Sequence, residues 1–279
     1  MLIEVLDEAL LHNVRAALAE DIGSGDITAA LIPADSQAKA TVICRESGVL
    51  CGMAWFNAVF AELDTAITVE WAARDGDVLS AGQTLCTLNG PARAILSGER
   101  TALNFLQTLS ATSGLARRYA DSVSDLPVKI LDTRKTIPGL RAAQKYAVRI
   151  GGCHNHRAGL YDAVLIKENH IAAAGSIAQA VEHAAENSPG KMIEVEVENA
   201  AQIHAALETA ATRLLLDNFT TEELRAAVAL VGGRVELEAS GSFDLDNIRA
   251  AAETGVDYIS VGGLTKNIQA IDLSMRFAL

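Results

Sequence analysis

The chain has 279 residues, of which 50% are hydrophobic and 21% charged, and its formal net charge is −12. The length suits one large domain or two modest ones with an ample core, and the hydrophobic content excludes a disordered chain. The acidic balance argues against nonspecific binding to nucleic acid or anionic membranes. No apolar run approaches the roughly 20 residues that span a bilayer. The N-terminus carries acids early and lacks a basic segment before an apolar core, so we expect no signal peptide.

The four cysteines, Cys44, Cys51, Cys86 and Cys153, show neither CxxC spacing nor the density of a disulfide framework. Free thiols persist in reducing compartments. We therefore expect a cytoplasmic protein.

The N-terminal part predicts a mixed α/β domain. Helical spacing of apolar residues predicts a helix over residues 1–20, followed by a loop rich in Gly, Asp and Ser over Asp21–Pro33. A strand is expected at Ala38–Arg45, a helix at Met53–Leu63 and an alternating strand at Ala66–Trp71.

Residues Asp75–Leu88 predict two short strands separated by a Gly turn, a pattern similar to the hairpins of lipoyl-type domains. A lipoyl carrier needs an exposed lysine at a hairpin tip, and no lysine lies between Lys39 and Lys129, so that function is rejected. A helix-prone region follows from about Pro91 to Val123, with expected breaks at Gly98 and Gly114.

From residue 128 the pattern changes to short apolar strands that alternate with helical stretches. A repeat of roughly 20–30 residues indicates βα units of a parallel sheet. Six units are too few for an eight-stranded barrel, so we expect an incomplete α/β barrel, and the alternating segment Ile271–Leu279 is expected to return to the N-terminal domain. The six strands are Val128–Asp132, Ala163–Lys167, Ile193–Val197, Arg213–Asp217, Val235–Ala239 and Tyr258–Gly262.

One stretch of this acidic chain is basic and indicates an anionic ligand. Between Arg134 and Lys167 the acid Asp162 opposes seven cations: Arg134, Lys135, Arg141, Lys145, Arg149, Arg157 and Lys167. Three of the seven, Arg141, Lys145 and Arg149, recur every four residues and fit an ordinary solvated helix face. The others do not follow that spacing.

Polar residues stand at the C-terminal end of every strand of the predicted barrel. In such barrels these ends converge on the ligand, so together they predict an active site. The residues are Asp132-Thr133-Arg134-Lys135, Lys167-Glu168-Asn169-His170, Glu194 with Glu196 and Glu198, Asp217-Asn218, Glu238-Ala239-Ser240-Gly241, and Gly262-Gly263.

The types of these residues suggest the ligand chemistry. The late turns Ser240-Gly241-Ser242 and Gly262-Gly263 fit a phosphate cradle of backbone N–H groups, although such glycines also serve simply to permit tight turns. The carboxylates Glu194, Glu196, Glu198 and Asp217 could hold Mg²⁺, bind sugar hydroxyls, stabilise developing positive charge, or pair with Lys and Arg.

Two other chemistries fit less well. Cys153, His154 and His156 lack the spacing of a structural zinc site, and His156 beside Arg157 better suits hydrogen bonds to an anion. Lys167 would suit a Schiff base, but that reaction needs a relatively apolar environment, and this site is crowded with charge. The residues thus favour a phosphorylated, sugar-containing substrate, a divalent cation and a second anionic partner.

The order and spacing of nine motifs resemble the quinolinate phosphoribosyltransferase family, and the resemblance covers nearly the whole chain. The motifs are EDIGSGDIT (Glu20–Thr28), GERTALNFLQ (Gly98–Gln107), LDTRKTIPGLR (Leu131–Arg141), GGCHNHRAGLYD (Gly151–Asp162), LIKENH (Leu165–His170), IEVEVEN (Ile193–Asn199), LLLDNF (Leu214–Phe219), EASGS (Glu238–Ser242) and ISVGGLT (Ile259–Thr265).

This resemblance implies a decarboxylating transfer in de novo NAD synthesis. Quinolinate and phosphoribosyl pyrophosphate give nicotinate mononucleotide, pyrophosphate and carbon dioxide, with Mg²⁺. The implied fold is an open N-terminal α/β sandwich (residues 1–112, joined by a C-terminal strand at 268–279) and an incomplete α/β barrel of about six βα units (residues 113–267). The implied assembly is a homodimer in which each site is shared between subunits, with higher assembly left open.

The resemblance also assigns residues to roles. It implies substrate binding by Thr133, Arg134, Lys135, His156, Arg157 and Lys167, a contribution from Arg100 to the neighbouring subunit's site, carboxylates near the ribose and metal at Glu196 and Asp217 (direct or through water), and a 5′-phosphate cradle at Ser240, Gly241, Gly262 and Gly263. Catalytic roles fall on Lys135, Lys167, Glu196 and Asp217.

Three positions depart from the family pattern. Lys266 stands where histidine is usual near the phosphate, which keeps a cation but alters the contact. Ser242 replaces a common glycine and so bears on the turn geometry. Cys153 stands where glycine is frequent.

Three rival functions remain to be distinguished. The chain could act on another ring acid or base, as nicotinate phosphoribosyltransferase or the molybdenum-locus homologue does. It could be a Schiff-base aldolase that uses Lys167, or a non-catalytic anion-binding protein. Arg100, Arg134, Arg157 and Lys167 together match a dianionic acceptor, which favours quinolinate.

Overall fold

The computed structural model describes residues 2–278, with side chains from residue 7 onward. The predicted segments that include Met1 and Leu279 therefore extend by one residue beyond the described part. The chain divides into two compact units: Met1–Arg117 with Thr136–Gly152 and Asn267–Leu279, and Arg118–Lys135 with Cys153–Lys266. Within the described residues, every helix is too short or too polar to cross a membrane.

The first unit combines an antiparallel sheet with long helices. Its elements are α1 (Leu2–Ile22), a 3-10 turn (Ala29–Leu31), β1 (Gln37–Cys44), β2 (Gly48–Val49), α2 (Met53–Leu63), β3 (Thr68–Trp71), β4 (Val78–Leu79), β5 (Thr84–Pro91), α3 (Ala92–Ser122, which continues into the second unit), α4 (Arg141–Ile150) and β12 (Leu273–Ala278).

The main sheet of this unit has the strand order β12-β1-β5-β3, and all its pairs are antiparallel. Along β1 every second side chain is buried, ending in Val42 and Cys44, so one face of the strand lies on the core. The core also contains the fully buried Trp55, Phe56 and Phe60 of α2. The predicted return of the last strand to the N-terminal domain is confirmed by the pairing of β12 with β1.

Helix α3 runs unbroken through Gly98 and Gly114, so the predicted breaks are wrong. The reason at Gly98 is packing against α2. A Cβ there would come within 2.7 Å of Leu63 Cδ1 and 2.8 Å of Phe60 Cε1. Gly98 therefore permits a close approach of two helices instead of interrupting one.

Helix α4 belongs to the first unit, whereas the sequence placed its residues in the barrel. Ala143 and Ala147 are fully buried members of the core, which explains this placement. Lys145 is only 6% exposed, so the predicted solvated face of Arg141, Lys145 and Arg149 is wrong at Lys145. A four-residue charge spacing does not show which side of a helix meets the core.

The second unit is built on six parallel strands with intervening helices. Its elements are β6 (Lys129–Leu131), β7 (Val164–Ile166), α5 (Glu168–Ala174), α6 (Ile177–Asn187), β8 (Ile193–Val197), α7 (Ala200–Leu207), β9 (Arg213–Asp217), α8 (Thr221–Val231), β10 (Glu236–Ser240), α9 (Ile248–Ala252), β11 (Tyr258–Ser260) and α10 (Gly263–Lys266).

The strand order is β6-β11-β10-β9-β8-β7, and every pair is parallel. All six predicted strands and the incomplete barrel are confirmed. Strands β6 and β7 form the two edges and do not pair within residues 2–278, so the barrel stays open. Because the strands run in one direction, their C-terminal ends share one edge of the sheet.

The tight packing of α4 against α3 predicts that Gly151 cannot carry a methyl group. Gly151 has φ −71°, which alanine adopts freely, but a Cβ would lie 2.4 Å from the backbone oxygen of Ser113 and 2.5 Å from Ala116 Cβ. Gly151→Ala should therefore lower the free energy of unfolding by about 1–3 kcal/mol, measured by urea denaturation.

Gly114 provides the matched control. A Cβ at Gly114 of α3 would have its nearest neighbour at 3.8 Å. Gly114→Ala should leave stability unchanged or raise it by up to about 1 kcal/mol, because alanine favours the helix. Equal effects of the two substitutions would contradict the packing described here.

Candidate active site

A cavity of 260 Å³ lies at the C-terminal ends of the parallel strands in the second unit, and we call it the site pocket. Charged side chains of both signs dominate its lining. The lining residues are Thr133, Arg134, Lys135, His156, Arg157, Leu165, Lys167, Glu196, Leu215, Asp217, Glu238, Ser240 and Ser260.

The cations of the site pocket come from three separate segments. Arg134 and Lys135 follow β6, Arg157 lies in the loop before β7, and Lys167 follows β7. Burial lowers the pKa of Arg157, and the neighbouring positive charge of Arg134 lowers it further. Two guanidinium groups held this close favour the binding of an anion between them.

Carboxylates meet these cations on the adjacent strands. Lys167 Nζ donates to Glu196 Oε2 at 2.5 Å, and the side chain of Glu196, near the end of β8, is only 10% exposed. Burial raises the pKa of Glu196, the ion pair with Lys167 lowers it, and the negative charge of Asp217 raises it. Glu196 pairs with Leu215 in the parallel register, and Asp217 lies two residues further along β9, so both acids line the site pocket.

We call the C-terminal ends of the strands the rim of the barrel. Beneath it, the fully buried carboxylate of Asp132 binds the segment that precedes Arg157. Asp132 Oδ1 accepts the backbone N–H of His156 at 2.8 Å, and Oδ2 accepts from Asn155 Nδ2 at 2.6 Å. The segment is also tied to β6 by a parallel bridge between Leu131 and His154. These contacts fix the backbone just before Arg157 relative to β6.

His156 faces two buried acids. Its Nε2 lies 3.0 Å from Glu194 Oε2 and 3.4 Å from Glu238 Oε2, and its side chain is only 7% exposed. Its Nδ1 accepts the backbone N–H of Arg157 at 2.7 Å. Both ring nitrogens thus face protein groups, whereas the sequence predicted hydrogen bonds from His156 to a bound anion.

The contacts of the ring favour different protonation states. Burial lowers the pKa of His156, but Glu194 and Glu238 outweigh burial and raise this pKa to about 9. The Arg157 N–H, however, requires an unprotonated Nδ1, because two N–H groups cannot face each other at 2.7 Å.

His156, Glu194 and Glu238 also form a cluster whose ligand atoms lie within 4.8 Å of one another, as a metal site would. The guanidinium of Arg213 also lies 3.5 Å from Glu238 Oε2 and stacks on the Tyr258 ring at 3.8 Å. A cation entering this cluster would have to compete with the Arg213 guanidinium for Glu238.

The predicted phosphate turns lie at the ends of β10 and β11. A Cβ at Gly262 would come within 3.0 Å of Lys135 Cδ, so this glycine leaves room for the lysine side chain. Asn218 has φ 58°, and among the described residues it alone has positive φ without being glycine. Its N–H donates to the Ser240 oxygen at 2.8 Å, which joins the ends of β9 and β10.

Most of the predicted site residues surround the site pocket. Gly241 follows Ser240, and Gly262 and Gly263 follow β11, next to the lining residues. Arg100 lies elsewhere, exposed on α3 in the first unit. Glu194 is fully buried beneath the pocket, and Glu198 is exposed beyond the end of β8, so the three glutamates lie at three different depths.

Three residues of the site had no role predicted from the sequence: Asp132, Glu238 and Ser260. The signal for Glu238 was available, because Glu236, Glu238 and Ser240 alternate on one face of β10. Asp132 opens the motif that contains Arg134, but its sequence position alone does not reveal that it accepts two hydrogen bonds from residues 155 and 156.

Two family models match this chain. The model of the quinolinate phosphoribosyl transferase N-terminal domain matches residues 26–110, and that of the C-terminal domain matches residues 112–276. A probable nicotinate-nucleotide pyrophosphorylase [carboxylating] of Bacillus subtilis (strain 168) is 41% identical over 262 residues, which cover 93% of this chain and 90% of the relative.

Solved structures agree with these matches. The nicotinate-nucleotide pyrophosphorylase of Francisella tularensis has a TM-score of 0.94 and 47% identity, covering 97% of this chain and 96% of that one. The enzyme of the same name from Ehrlichia chaffeensis has a TM-score of 0.90 and 38% identity, covering 95% and 97%. On the strength of its sequence, its fold and the residues of its site pocket, the chain belongs to the quinolinate phosphoribosyltransferase family.

Proposed function

We propose that this enzyme converts quinolinate and phosphoribosyl pyrophosphate into nicotinate mononucleotide, pyrophosphate and carbon dioxide, as a step of de novo NAD synthesis. One observation carries the proposal: four cations (Arg134, Lys135, Arg157 and Lys167) and two carboxylates (Glu196 and Asp217) line one small pocket. The cations suit two polyanionic substrates, and the carboxylates suit a reacting centre that becomes positive.

Recognition of quinolinate follows from its two adjacent carboxylates. Arg134 and Arg157 can each present two parallel N–H groups to one carboxylate. Their mutual repulsion, which contributes to the lowered pKa of Arg157, is relieved when a dianion binds between them. A monoacid such as nicotinate would neutralise less of this positive charge, which favours quinolinate as the acceptor.

The transfer breaks the bond between ribose C1 and pyrophosphate, and the ring nitrogen of quinolinate forms the new bond to C1. As pyrophosphate leaves, C1 and the ring oxygen acquire oxocarbenium-like positive charge. Carboxylates at Glu196 and Asp217 can stabilise this charge, while Lys135 and Lys167 can stabilise the leaving group. Positioning and electrostatics then account for the rate of this step.

A Mg²⁺ ion fits the same residues. Hard divalent cations prefer oxygen ligands and substrate phosphates, and the described contacts engage one oxygen of each acid: Glu196 Oε2 with Lys167 and Asp217 Oδ2 with Asn218. Glu196 and Asp217 would hold the ion directly or through water. When bound, it would neutralise negative charge on the pyrophosphate.

Decarboxylation follows from the product of the transfer. Once ribose is attached, the ring nitrogen is positive, so the electron pair left at C2 when carbon dioxide departs is stabilised by the adjacent charge. C2 then takes up one proton. The chemistry of the pyridinium supplies the electron sink, and the protein needs to hold the substrate in place.

The 5′-phosphate is assigned to Ser240, Gly241, Gly262 and Gly263. These residues follow the neighbouring strands β10 and β11, where backbone N–H groups of tight turns can surround a phosphate. Lys266 lies exposed on α10 after Gly263 and retains the positive charge that the family usually places there as histidine.

We also propose a homodimer in which Arg100 of one subunit completes the other subunit's site. Arg100 is exposed on α3. One turn earlier on this helix, Ser97 Oγ donates a hydrogen bond of 2.8 Å to Asp26 Oδ2, in the segment before β1. That segment exposes Ile27 (88%) and Leu31 (83%). Exposed apolar side chains beside an unshielded arginine suit a surface covered by a second copy.

A cytoplasmic location is part of the same proposal. All four cysteines are free and buried. Burial raises the pKa of the Cys86 and Cys153 thiols to about 12, which keeps them unreactive.

The decisive experiment measures pyrophosphate release and carbon dioxide release in parallel, with phosphoribosyl pyrophosphate, Mg²⁺ and either quinolinate or nicotinate. Equal amounts of both products with quinolinate are expected. Faster consumption of the donor with nicotinate would contradict the substrate assignment. Borohydride trapping of a carbonyl substrate on Lys167 would instead support an aldolase, which the ion pair between Lys167 and Glu196 disfavours because a protonated amine is not nucleophilic.

Arg134→Ala should lower kcat/KM for quinolinate by roughly 100-fold or more, because a charged pair with a substrate carboxylate is lost. The thermal midpoint should stay close to that of the unmodified enzyme. Arg225→Ala is the control, since Arg225 is exposed on α8 and makes a long contact of 3.9 Å with Glu222. Unchanged kinetics of Arg134→Ala would remove Arg134 from the substrate site.

Arg100→Ala and Arg134→Ala should each be inactive alone and should complement each other in mixed dimers. In a heterodimer one of the two sites keeps both arginines, so an equal mixture should recover about a quarter of the active sites. Activity is measured after subunit exchange has been demonstrated by mass spectrometry of differently labelled chains. No recovery after full exchange would contradict the shared site.

A further inference from the structure

Lys135 lies in a segment of irregular backbone, where side chains hold it in place. The segment lies between β6 and α4, and residues 132–140 contain neither helix nor strand. Backbone outside regular elements depends on other groups for its hydrogen bonds. The N–H of Lys135 donates to Thr133 Oγ1 at 3.0 Å, and its carbonyl oxygen accepts a hydrogen bond from Thr265 Oγ1 at 2.8 Å. Two threonine hydroxyl groups thus engage both polar backbone groups of Lys135.

Thr265 is well anchored for this contact. It is fully buried on α10, the short helix that follows β11, and the neighbouring Leu264 is fully buried as well. Strand β11 pairs in parallel with β6 up to Ser260 and Leu131, so the segments that leave the two strands lie next to each other. The hydrogen bond from Thr265 to Lys135 therefore joins the ends of two adjacent strands.

The same turn also contacts the side chain of Lys135. We call residues 261–266 the β11 turn; it contains Gly262 and Gly263, to which the 5′-phosphate of the phosphoribosyl donor is assigned. A Cβ at Gly262 would lie 3.0 Å from Lys135 Cδ and 3.8 Å from Lys135 Nζ, so the aliphatic part of the lysine passes close to this glycine. Lys135 is therefore held against the β11 turn at two points, its carbonyl oxygen and its side chain.

The phosphoribosyl donor carries anionic groups at both ends, and both assigned binding groups belong to this connected structure. The 5′-phosphate is assigned to the β11 turn, and the pyrophosphate to Lys135 and Lys167. A cation that is already in position when its ligand arrives loses less conformational entropy on binding than a mobile one. The hydrogen bond from Thr265 sets the backbone of Lys135 relative to the β11 turn before the donor binds.

We propose that Thr265 is a positioning residue for Lys135, and that its hydroxyl group holds this lysine at a set distance from the phosphate-binding glycines of the β11 turn. The inference rests on the proposed function in one respect, the binding of pyrophosphate by Lys135. Thr265 is fully buried and is not among the residues that line the site pocket. It acts on the donor through Lys135 and does not touch the donor itself.

Binding of inorganic pyrophosphate with Mg²⁺, measured by calorimetry, tests this role without turnover. Thr265→Val removes the hydroxyl group but keeps the shape of the side chain, whereas Thr265→Ser keeps the hydroxyl group and loses a methyl group. We expect Kd for pyrophosphate to rise on the order of 10-fold in Thr265→Val and to stay within about twofold of the unmodified protein in Thr265→Ser. An unchanged Kd in Thr265→Val, or an equal rise in both variants, would overturn the proposal.

A double-mutant cycle shows whether the effect passes through Lys135. Lys135→Ala alone should weaken pyrophosphate binding, and the further change Thr265→Val should weaken it no more, because the lysine that Thr265 positions is gone. Additive effects of the two substitutions on log Kd would overturn the proposal. If Thr265→Val does not fold, Thr265→Ala takes its place in both experiments, since it removes the hydroxyl group without placing a methyl group against the Lys135 carbonyl oxygen.

Thr254→Val is the matched control. Thr254 is also a buried threonine of the second unit, and its hydroxyl group donates to the Ala251 carbonyl oxygen at 2.6 Å, but it is not among the residues that line the site pocket. Thr254→Val should leave Kd for pyrophosphate unchanged. An equal rise of this Kd in Thr254→Val and Thr265→Val would show a general effect of losing a buried hydroxyl group and would overturn the specific role of Thr265.

Steady-state kinetics separate this role from the proposed reaction. Thr265→Val should raise KM for phosphoribosyl pyrophosphate by about the same factor as Kd for pyrophosphate, with KM for quinolinate changed much less. An equal rise of both KM values would overturn the positioning role, even with normal turnover in the unmodified enzyme. Absence of quinolinate turnover in the unmodified protein, with pyrophosphate binding that depends on Thr265 through Lys135, would contradict the proposed function alone.

Discussion

The parallel pairing of the six strands is the constraint on which the site depends. Parallel strands end at one edge of a sheet, so residues that are far apart in sequence become neighbours there. Lys167 and Glu196 follow different strands, yet their side chains are 2.5 Å apart. The same pairing brings Asp217 close enough to Glu196 for their charges to interact, and it brings the turns after β10 and β11 together. Most residues of the proposed chemistry lie at this edge.

Charge in the second unit is arranged in two levels, and burial separates their roles. At the rim, Lys167, Glu196 and Asp217 remain partly accessible. Beneath the rim, Asp132, Glu194 and Glu238 are fully buried, where the energetic cost of an uncompensated charge is high. The lower level is therefore suited to holding the chain in one arrangement, and the upper level to chemistry.

Family membership and site geometry are separate observations, and both agree with the same function. The relatives extend over nearly the full chain, which ties the two units to one known architecture. The pocket residues fit the proposed reaction in physical terms: arginines suit adjacent carboxylates, and acids suit a positive reacting centre. Arg100 lies on α3 in the first unit and is not among the residues that line the site pocket.

Local sequence patterns were enough for the strands and for most of the rim. Short apolar runs with polar ends predicted β6 to β11 and placed Arg134, Lys167, Glu196 and Asp217 at one edge, because strand direction and period are local properties. The packing of helices against one another could not be predicted from such local patterns. Gly98 was expected to break α3, but it lies where two helices approach closely.

The sequence by itself determined the fold class, the types of charge at the strand ends and the family. Only the tertiary structure decided which charges are buried and which groups face each other. Lys145 was expected on a solvated face and is buried, and His156, which lines the site pocket, also faces the buried acids Glu194 and Glu238. The physical reason is that burial and protonation depend on neighbours from distant strands and helices, and the order of residues along one chain does not specify those neighbours.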